Sequence, residues 1–248
     1  MHLNQNFNKI NLLIMKEKKK IDLCLFTFNE LEGLKYTLKH INKKKFNIFV
    51  VDANSNDGTI EFLRKKKIRF FIQKFKDYNS AYLIASKKSY SNKLIVFHPK
   101  KTIPIKTIYL IKKKLYQGYD IVFTTRMSKL GDNEEDGKIL KPRKWFVLFL
   151  SIVINLIYRK KNQNKISDPL HGIKGFDTKK FNKIGINKKG VTADLEMCMM
   201  AMKKNLCFTE LPVKEKSRRY GKTNFPALKT GSKILIFLFF SIIKKIIN

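Results

Sequence analysis

The sequence predicts an α/β fold with a mostly parallel sheet flanked by helices, and three observations carry that reading. Residues 21–28 form a nearly continuous apolar run, with Ile21, Leu23, Cys24, Leu25, Phe26 and Phe28, as expected of a strand buried on both faces. A second apolar run at 46–51 ends in the turn formers Asp52-Ala53-Asn54-Ser55-Asn56-Asp57-Gly58-Thr59 and leads into a helical stretch at 60–67. The same order then repeats along the chain. Alternation of this kind implies right-handed crossovers, with ligands at the carboxyl ends of the strands.

Taken in order, the predicted elements are a strand at 21–28, a helix at 30–41, a strand at 46–51, a helix at 60–67 and a strand at 68–72. A helix at 80–89, a strand at 93–97, a helix at 105–116 and a strand at 121–125 follow. The pattern then changes to a polar loop at 129–144 and an apolar stretch at 145–158. Fourteen helical residues reach about 21 Å, short of a bilayer crossing, so this stretch is expected to lie in or near a membrane interface. The tail repeats the theme, with Ile234-Leu235-Ile236-Phe237-Leu238-Phe239-Phe240 set between Lys233 and Lys244-Lys245. Lysines at both ends suit an interfacial helix reaching toward anionic headgroups, and a core helix or an oligomer contact is the alternative.

At 248 residues and 44% apolar, the chain can bury a core of one large domain or two tightly joined halves. Lys and Arg total 53 against 19 Asp and Glu, a net charge of +34 that seeks phosphate on nucleotides, nucleic acids or lipids. Runs such as Lys65-Lys66-Lys67 also read as drift in a chain rich in Lys, Asn, Ile and Phe. No interleaved basic and aromatic motif, zinc spacing or recognition helix supports nucleic-acid binding. Cys24, Cys198 and Cys207 form no metal or disulfide pattern and read as core thiols in a reducing compartment. The apolar patch Leu12-Leu13-Ile14-Met15 precedes its charges, the reverse of a secretory signal, so export is not expected. Residues 1–20 are expected to be a basic extension, with Met15 as a candidate alternative start.

Short motifs add chemistry. Asp52 and Asp57 fall at the carboxyl edge of the sheet, where carboxylates can hold a ribose hydroxyl or the imino hydrogen of a base. Thr27-Phe28-Asn29-Glu30 resembles the first-strand signature of family 2 glycosyltransferases, and residues 50–59 resemble their second. Asp168-Pro169-Leu170-His171-Gly172-Ile173-Lys174-Gly175-Phe176 is similar to the acceptor-side motif of polyprenyl-phosphate sugar synthases, the group that includes dolichyl-phosphate mannose synthase. Glu196, Glu210-Leu211-Pro212-Val213 and Arg218-Arg219-Tyr220-Gly221-Lys222-Thr223-Asn224 follow in that group's order. The resemblance spans about residues 20–225 and implies a GT-A type, Rossmann-like domain. Its nucleotide-sugar half would cover 21–126, its acceptor half 127–225, and a membrane-associating helix 226–248.

Departures from the family pattern matter as much. The family's fourth strand delivers an Asp-x-Asp metal motif, whereas here Val96-Phe97 leads into His98-Pro99-Lys100-Lys101, and Ala53 stands beside Asp52 in place of a second acid. Mg²⁺ or Mn²⁺ would have to bind without those ligands. Lys100 is expected to balance the leaving diphosphate in the metal's place. His98 is a candidate phosphate or ribose ligand, or simply a packed histidine. By resemblance, Thr27, Asn29, Glu30, Asp52, Asp57 and Arg218 are expected on the donor, and Arg126 and Arg143 on the acceptor phosphate. Arg218 and Arg219 would close over the diphosphate. Asp168 would orient sugar or acceptor, making Asp168, Lys100 and Arg126 the expected catalytic set. Glu196 reads either as a helix-surface acid or as a satisfied ion-pair partner.

The implied reaction is inverting transfer from a UDP- or GDP-sugar to polyprenyl phosphate at the cytoplasmic face of a membrane. The alternatives are a family 2 transferase acting on a glycan in envelope polysaccharide synthesis, or a relative that binds without catalysing.

Overall fold

The computed structural model describes residues 20–217 and 227–247. The first half alternates as the sequence predicts: β1 (Ile21–Thr27), α1 (Leu31–His40), a 3-10 turn (Lys43–Lys45), β2 (Phe46–Asp52), α2 (Thr59–Lys65) and β3 (Phe70–Ile72). Next come α3 (Tyr78–Lys88), β4 (Lys93–Phe97), α4 (Lys106–Tyr116) and β5 (Ile121–Thr125). The second half adds α5 (Pro142–Tyr158), β6 (Lys174–Asp177), α6 (Thr178–Ile184), α7 (Ala193–Lys203), β7 (Phe208–Pro212) and α8 (Ala227–Ile247).

The seven strands form one sheet in the order β3-β2-β1-β4-β6-β5-β7. All neighbours are parallel except β6, which runs antiparallel to both β4 and β5. Alternation along the strands divides the core into two layers. Leu23, Leu25, Val50, Ile95 and Val122 face one way, onto Leu34, Leu63, Ile108 and Leu115 of α1, α2 and α4. Cys24, Phe26, Val51, Val96, Phe123 and Phe176 face the other way, onto α3, α5, α6, α7 and α8. Burying each such side chain contributes about 1.5–3 kcal/mol.

Three elements were not legible in the sequence: β6, α6 and β7. Strands β6 and β7 insert residues from the expected acceptor half into the same sheet as the expected donor half. Helix α5 starts at Pro142, earlier than the apolar stretch, because proline fits a helix's first turn, where its missing N–H is no loss. Cys24 and Cys198 are buried core thiols, but Cys207 is exposed and is not one. Among the described residues no helix is long and apolar enough to cross a membrane. The expected extension at 1–20 lies outside the described residues apart from Lys20.

Candidate active site

The loops after β1 and β2 are stapled together. Asn29 receives a backbone hydrogen bond from Asn56 on its Oδ1 (2.9 Å) and donates its own N–H to Ser55 Oγ (2.8 Å). Asp57 Oδ2 accepts the N–H of Leu31 at the start of α1 (3.0 Å), and its Oδ1 accepts both the N–H and the hydroxyl of Thr59. Burial works against the Asp57 charge, but the Thr59 and Leu31 donors outweigh it and lower its pKa. Beneath this layer Asp52 is fully enclosed: Thr27 and Ser55 hydroxyls and the Ser55 N–H all donate to it. Thr27 and Asp52 therefore hold the two loops from below. Above them Asn29, Glu30, Leu31, Glu32, Gly33, Asp57 and Lys100 line a pocket of about 280 Å³. Gly33 is required there, because a Cβ would sit 1.7 Å from the carbonyl oxygen of Pro99.

His98 does not line that pocket. Its Nε2 shares a hydrogen bond with the Tyr78 hydroxyl (2.6 Å), the two rings lie nearly parallel at 12°, and Phe26 meets His98 edge-on. Gly172 packs against both groups, since a Cβ there would lie 1.8 Å from the Tyr78 hydroxyl and 2.7 Å from His98 Nε2. His98 thus links α3 to the acceptor-side turn.

At the end of β5 a second, charged cluster forms. Arg126 Nε and Nη2 donate to the two oxygens of Asp168 (2.7 and 3.1 Å), and Nη1 donates to Glu215 (2.9 Å). Asp168 also accepts the backbone N–H of Arg126, so its carboxylate is enclosed and turned onto the arginine rather than outward. Burial opposes these charges, but the fork geometry wins: Asp168 and Glu215 are both held below their ordinary pKa values by Arg126, whose own pKa is raised in return. Arg143, by contrast, is half exposed and pairs with Glu134 at 3.0 Å. Glu210 braces the same turn, accepting from Ser167 N–H and hydroxyl and from Asp168 N–H.

His171 packs beside this cluster with its Nδ1 against the Thr124 hydroxyl. Burial, reinforced by the Arg126 charge and only partly opposed by Asp168, pushes its pKa down to about 4 from 6.5. The unfolded chain takes up a proton here between those values that the folded chain refuses, so stability falls as pH drops through that window. The loss at this residue alone is expected to reach about 2 kcal/mol by pH 5. Urea unfolding of the wild type and of His171→Gln between pH 7 and 5 checks this, the variant losing clearly less over the interval. Equal slopes would assign the acid loss to other groups.

Residues 22–185 match the profile of the family described as Glycosyl transferase family 2. The chain belongs to that family. No curated protein sequence matches it. Among solved structures, glucosyl-3-phosphoglycerate synthase from Mycobacterium tuberculosis in complex with Mn²⁺, UDP and phosphoglyceric acid is similar, with a TM-score of 0.68 and 11% identity over 92% of this chain and 80% of that one. The same enzyme with Mn²⁺ and UDP-glucose gives 0.65 and 12% over 93% and 81%. S. aureus TarS 1–349 gives 0.52 and 14%, covering 79% of this chain and 60% of that one. At such identities the likeness is one of fold, and the fold of this family 2 chain is the GT-A type.

A divalent cation does not fit the end of β4 in this family 2 member. The side chains offered there are an imidazole engaged with Tyr78 and two lysines, and ammonium groups repel a cation. Among the described residues no group of three His, Cys, Asp or Glu side chains comes together to hold a metal.

Of the residues expected at the site, Asn29, Glu30, Asp57 and Lys100 share the small pocket, Thr27 and Asp52 lie enclosed under it, and His98 turns to Tyr78. Arg126 and Asp168 form a separate pair and Arg143 a surface one, while Arg218 and Arg219 lie outside the described residues. Glu196 is a buried, satisfied acid, but with no arginine: it accepts from Asn79, Thr192 and the Asn187 N–H. Sequence reasoning missed Glu215, Tyr78 and the fully buried pair Lys174–Asp194. A lysine set between Ile173 and Phe176 was the available signal, because a charge inside an apolar strand needs a buried partner.

Proposed function

We propose that this family 2 chain transfers a sugar, with inversion, from a UDP- or GDP-sugar to the phosphate of a polyprenyl-phosphate acceptor at the cytoplasmic face of a membrane. The observation that carries the donor half is the pocket that puts Lys100 beside Asn29, Glu30 and Asp57 at the carboxyl edge of the sheet. Asp57 would take a ribose hydroxyl or the base, and Lys100 the diphosphate. The degenerate metal motif then has a physical meaning, since a lysine supplies part of the charge balance otherwise expected of a metal.

An acceptor phosphate is ionised at neutral pH and needs no general base, only orientation and charge. Its oxygen would attack the anomeric carbon as the bond to the departing diphosphate breaks on the opposite side. Arg126 is the candidate grip, because its contacts to Asp168 and Glu215 use three of its five N–H groups. Asp168 acts in this scheme as a positioning residue that fixes the arginine. The exposed apolar residues of α5 and α8 favour a lipid over a soluble acceptor.

The test is a thermal-shift screen against UDP- and GDP-sugars with Mg²⁺, with Mn²⁺ and with EDTA, followed by transfer to polyprenyl phosphate in detergent. A donor at a hundred times its Kd stabilises by about 2.7 kcal/mol, or roughly 5–10 °C in Tm for a chain of this size. The shift and the transfer are expected to survive EDTA and to shrink in Lys100→Ala. Transfer abolished by EDTA would remove the lysine role, and a donor shift with transfer only to a glycan would replace the acceptor.

A further inference from the structure

The C-terminal half of α5 and the loop that follows it, residues 159–167, line an open pocket of about 500 Å³ that borders the Asp168 turn at Ser167. Its lining combines the cations Arg159, Lys160, Lys161 and Lys165 with the apolar Ile152 and Leu156. No carboxylate lines it, and among the described residues none of the four cations pairs with one. Arg159 is the C-cap of the helix, its backbone N–H donating to the Asn155 carbonyl. Lys160, Lys161 and Lys165 are exposed along its lining.

The wall is built rather than loose. Asn155 holds both backbone groups of Ile166, donating to its carbonyl (2.7 Å) and accepting its N–H (3.1 Å), and Ser151 donates to the same carbonyl (2.7 Å). The pocket also opens onto an apolar surface. Trp145, Phe149, Ile152 and Leu156 recur at helical spacing along one stripe of α5 and are 53%, 50%, 68% and 83% exposed. Helix α8 lies alongside, tied by the Tyr158 hydroxyl to the Ser241 carbonyl (3.0 Å), and exposes Ile236, Phe239 and Phe240.

We propose that this pocket is a headgroup site for an anionic membrane phospholipid, with the lysines on its phosphate and the α5 and α8 stripes among the acyl chains. Both halves of an amphiphile are matched on adjoining surfaces, an arrangement that a soluble phosphate would use only in part. A second copy of the chain is disfavoured as occupant, because pairing this face with itself would oppose two lysine clusters on molecules that each carry +34. The last wall residue, Ser167, directly precedes Asp168, so lipid bound here would fix how the candidate acceptor edge meets the bilayer. The inference rests on the membrane part of the proposed function and gives it a specific site.

The experiment is sedimentation of the full chain with phosphatidylcholine vesicles, alone or with 30% phosphatidylglycerol, chosen as a probe at about 0.1 M salt. Three proteins are compared: the wild type, Lys160→Glu/Lys161→Glu/Lys165→Glu, and a control of equal charge, Lys39→Glu/Lys43→Glu/Lys44→Glu. The control lysines are exposed and lie around α1, whose apolar residues pack on the other face of the sheet. The pocket triple is expected to lose at least about a hundredfold in partition to anionic vesicles, and the control no more than about tenfold. A retained melting temperature certifies that the triple is folded. Equal losses in the two triples would leave only net charge and overturn the headgroup site while the membrane reading stands. A wild type that ignores anionic vesicles would overturn both. A dimer broken by Phe239→Ser/Phe240→Ser, without vesicle binding, would award the apolar stripe to a second copy.

Discussion

Replacing Arg126 with alanine is expected to destabilise the protein by about 3–5 kcal/mol at pH 7, the range for removing one member of a buried ion pair. The loss comes less from the missing contacts than from what they leave behind. Asp168 has no exposed side-chain surface and Glu215 little, so two carboxylates would keep their desolvation with no opposing charge. In the wild type Arg126 holds both pKa values down, so the pair's stabilisation is present above the carboxylates' unfolded values near 4 and is lost as pH falls through the lower folded ones. In the variant the residue-126 N–H still donates to Asp168, but no cation opposes burial, which raises both values, and protonation then relieves the strain as pH falls. The gap between wild type and Arg126→Ala should therefore narrow between pH 7 and pH 4, and adding Asp168→Asn should recover part of it. Arg126→Lys is expected to restore little, because one ammonium cannot meet Asp168 on two oxygens and Glu215 at once. Urea unfolding reads all four proteins. A loss below about 1 kcal/mol in Arg126→Ala would mean that water reaches the carboxylates and the cluster is a surface feature.

This cluster also marks the limit of what the sequence discloses. Asp168 and Arg126 were both visible as candidates, but their contact spans 42 residues and the one to Glu215 spans 89, and no local period encodes such pairings. Strands β1, β2, β4 and β5 were legible because strands covered on both faces are apolar throughout and bounded by turn formers. Strand β6 was not, being four residues long with a lysine, a glycine and an aspartate, a composition that reads as a loop until the partner of Lys174 is known. β7 hid for a related reason: it pairs on one side only, and its Thr209 and Glu210 dilute the apolar signal. At the donor edge the residue types were readable while their directions were not. The sequence could place Asp52 and Asp57 in one turn; only packing turns Asp52 down to Thr27 and leaves Asp57 on the pocket.

Lys174→Met is expected to lower stability by about 3–5 kcal/mol as well, for a reason that reaches the pocket. Lys174 is fully buried on β6, between β4 and β5, with its ammonium on Asp194 and near the rings of Tyr82 and Phe123. Burial already raises the Asp194 pKa, and Lys174 and the Tyr82 hydroxyl are what oppose it. Without the lysine, Tyr82 alone opposes the burial of Asp194, so the carboxyl pKa is expected to rise further and the acceptor of Tyr82 to lose negative charge. Tyr82 donates to both Asp194 (2.8 Å) and the Gly172 carbonyl (2.8 Å), and Gly172 packs against Tyr78 and His98, two residues before Lys100. The single variant should therefore weaken the donor-induced thermal shift as well as the fold. The double variant Lys174→Met/Asp194→Asn removes both charges at similar volume and is expected to regain much of the stability, giving a coupling energy of up to about 3 kcal/mol in the cycle. Its donor shift separates two roles: recovery would make the pair a packing device, whereas a folded double variant with a lost shift would make the charged chain from Lys174 through Tyr82 and Gly172 the element that sets the loop carrying Lys100.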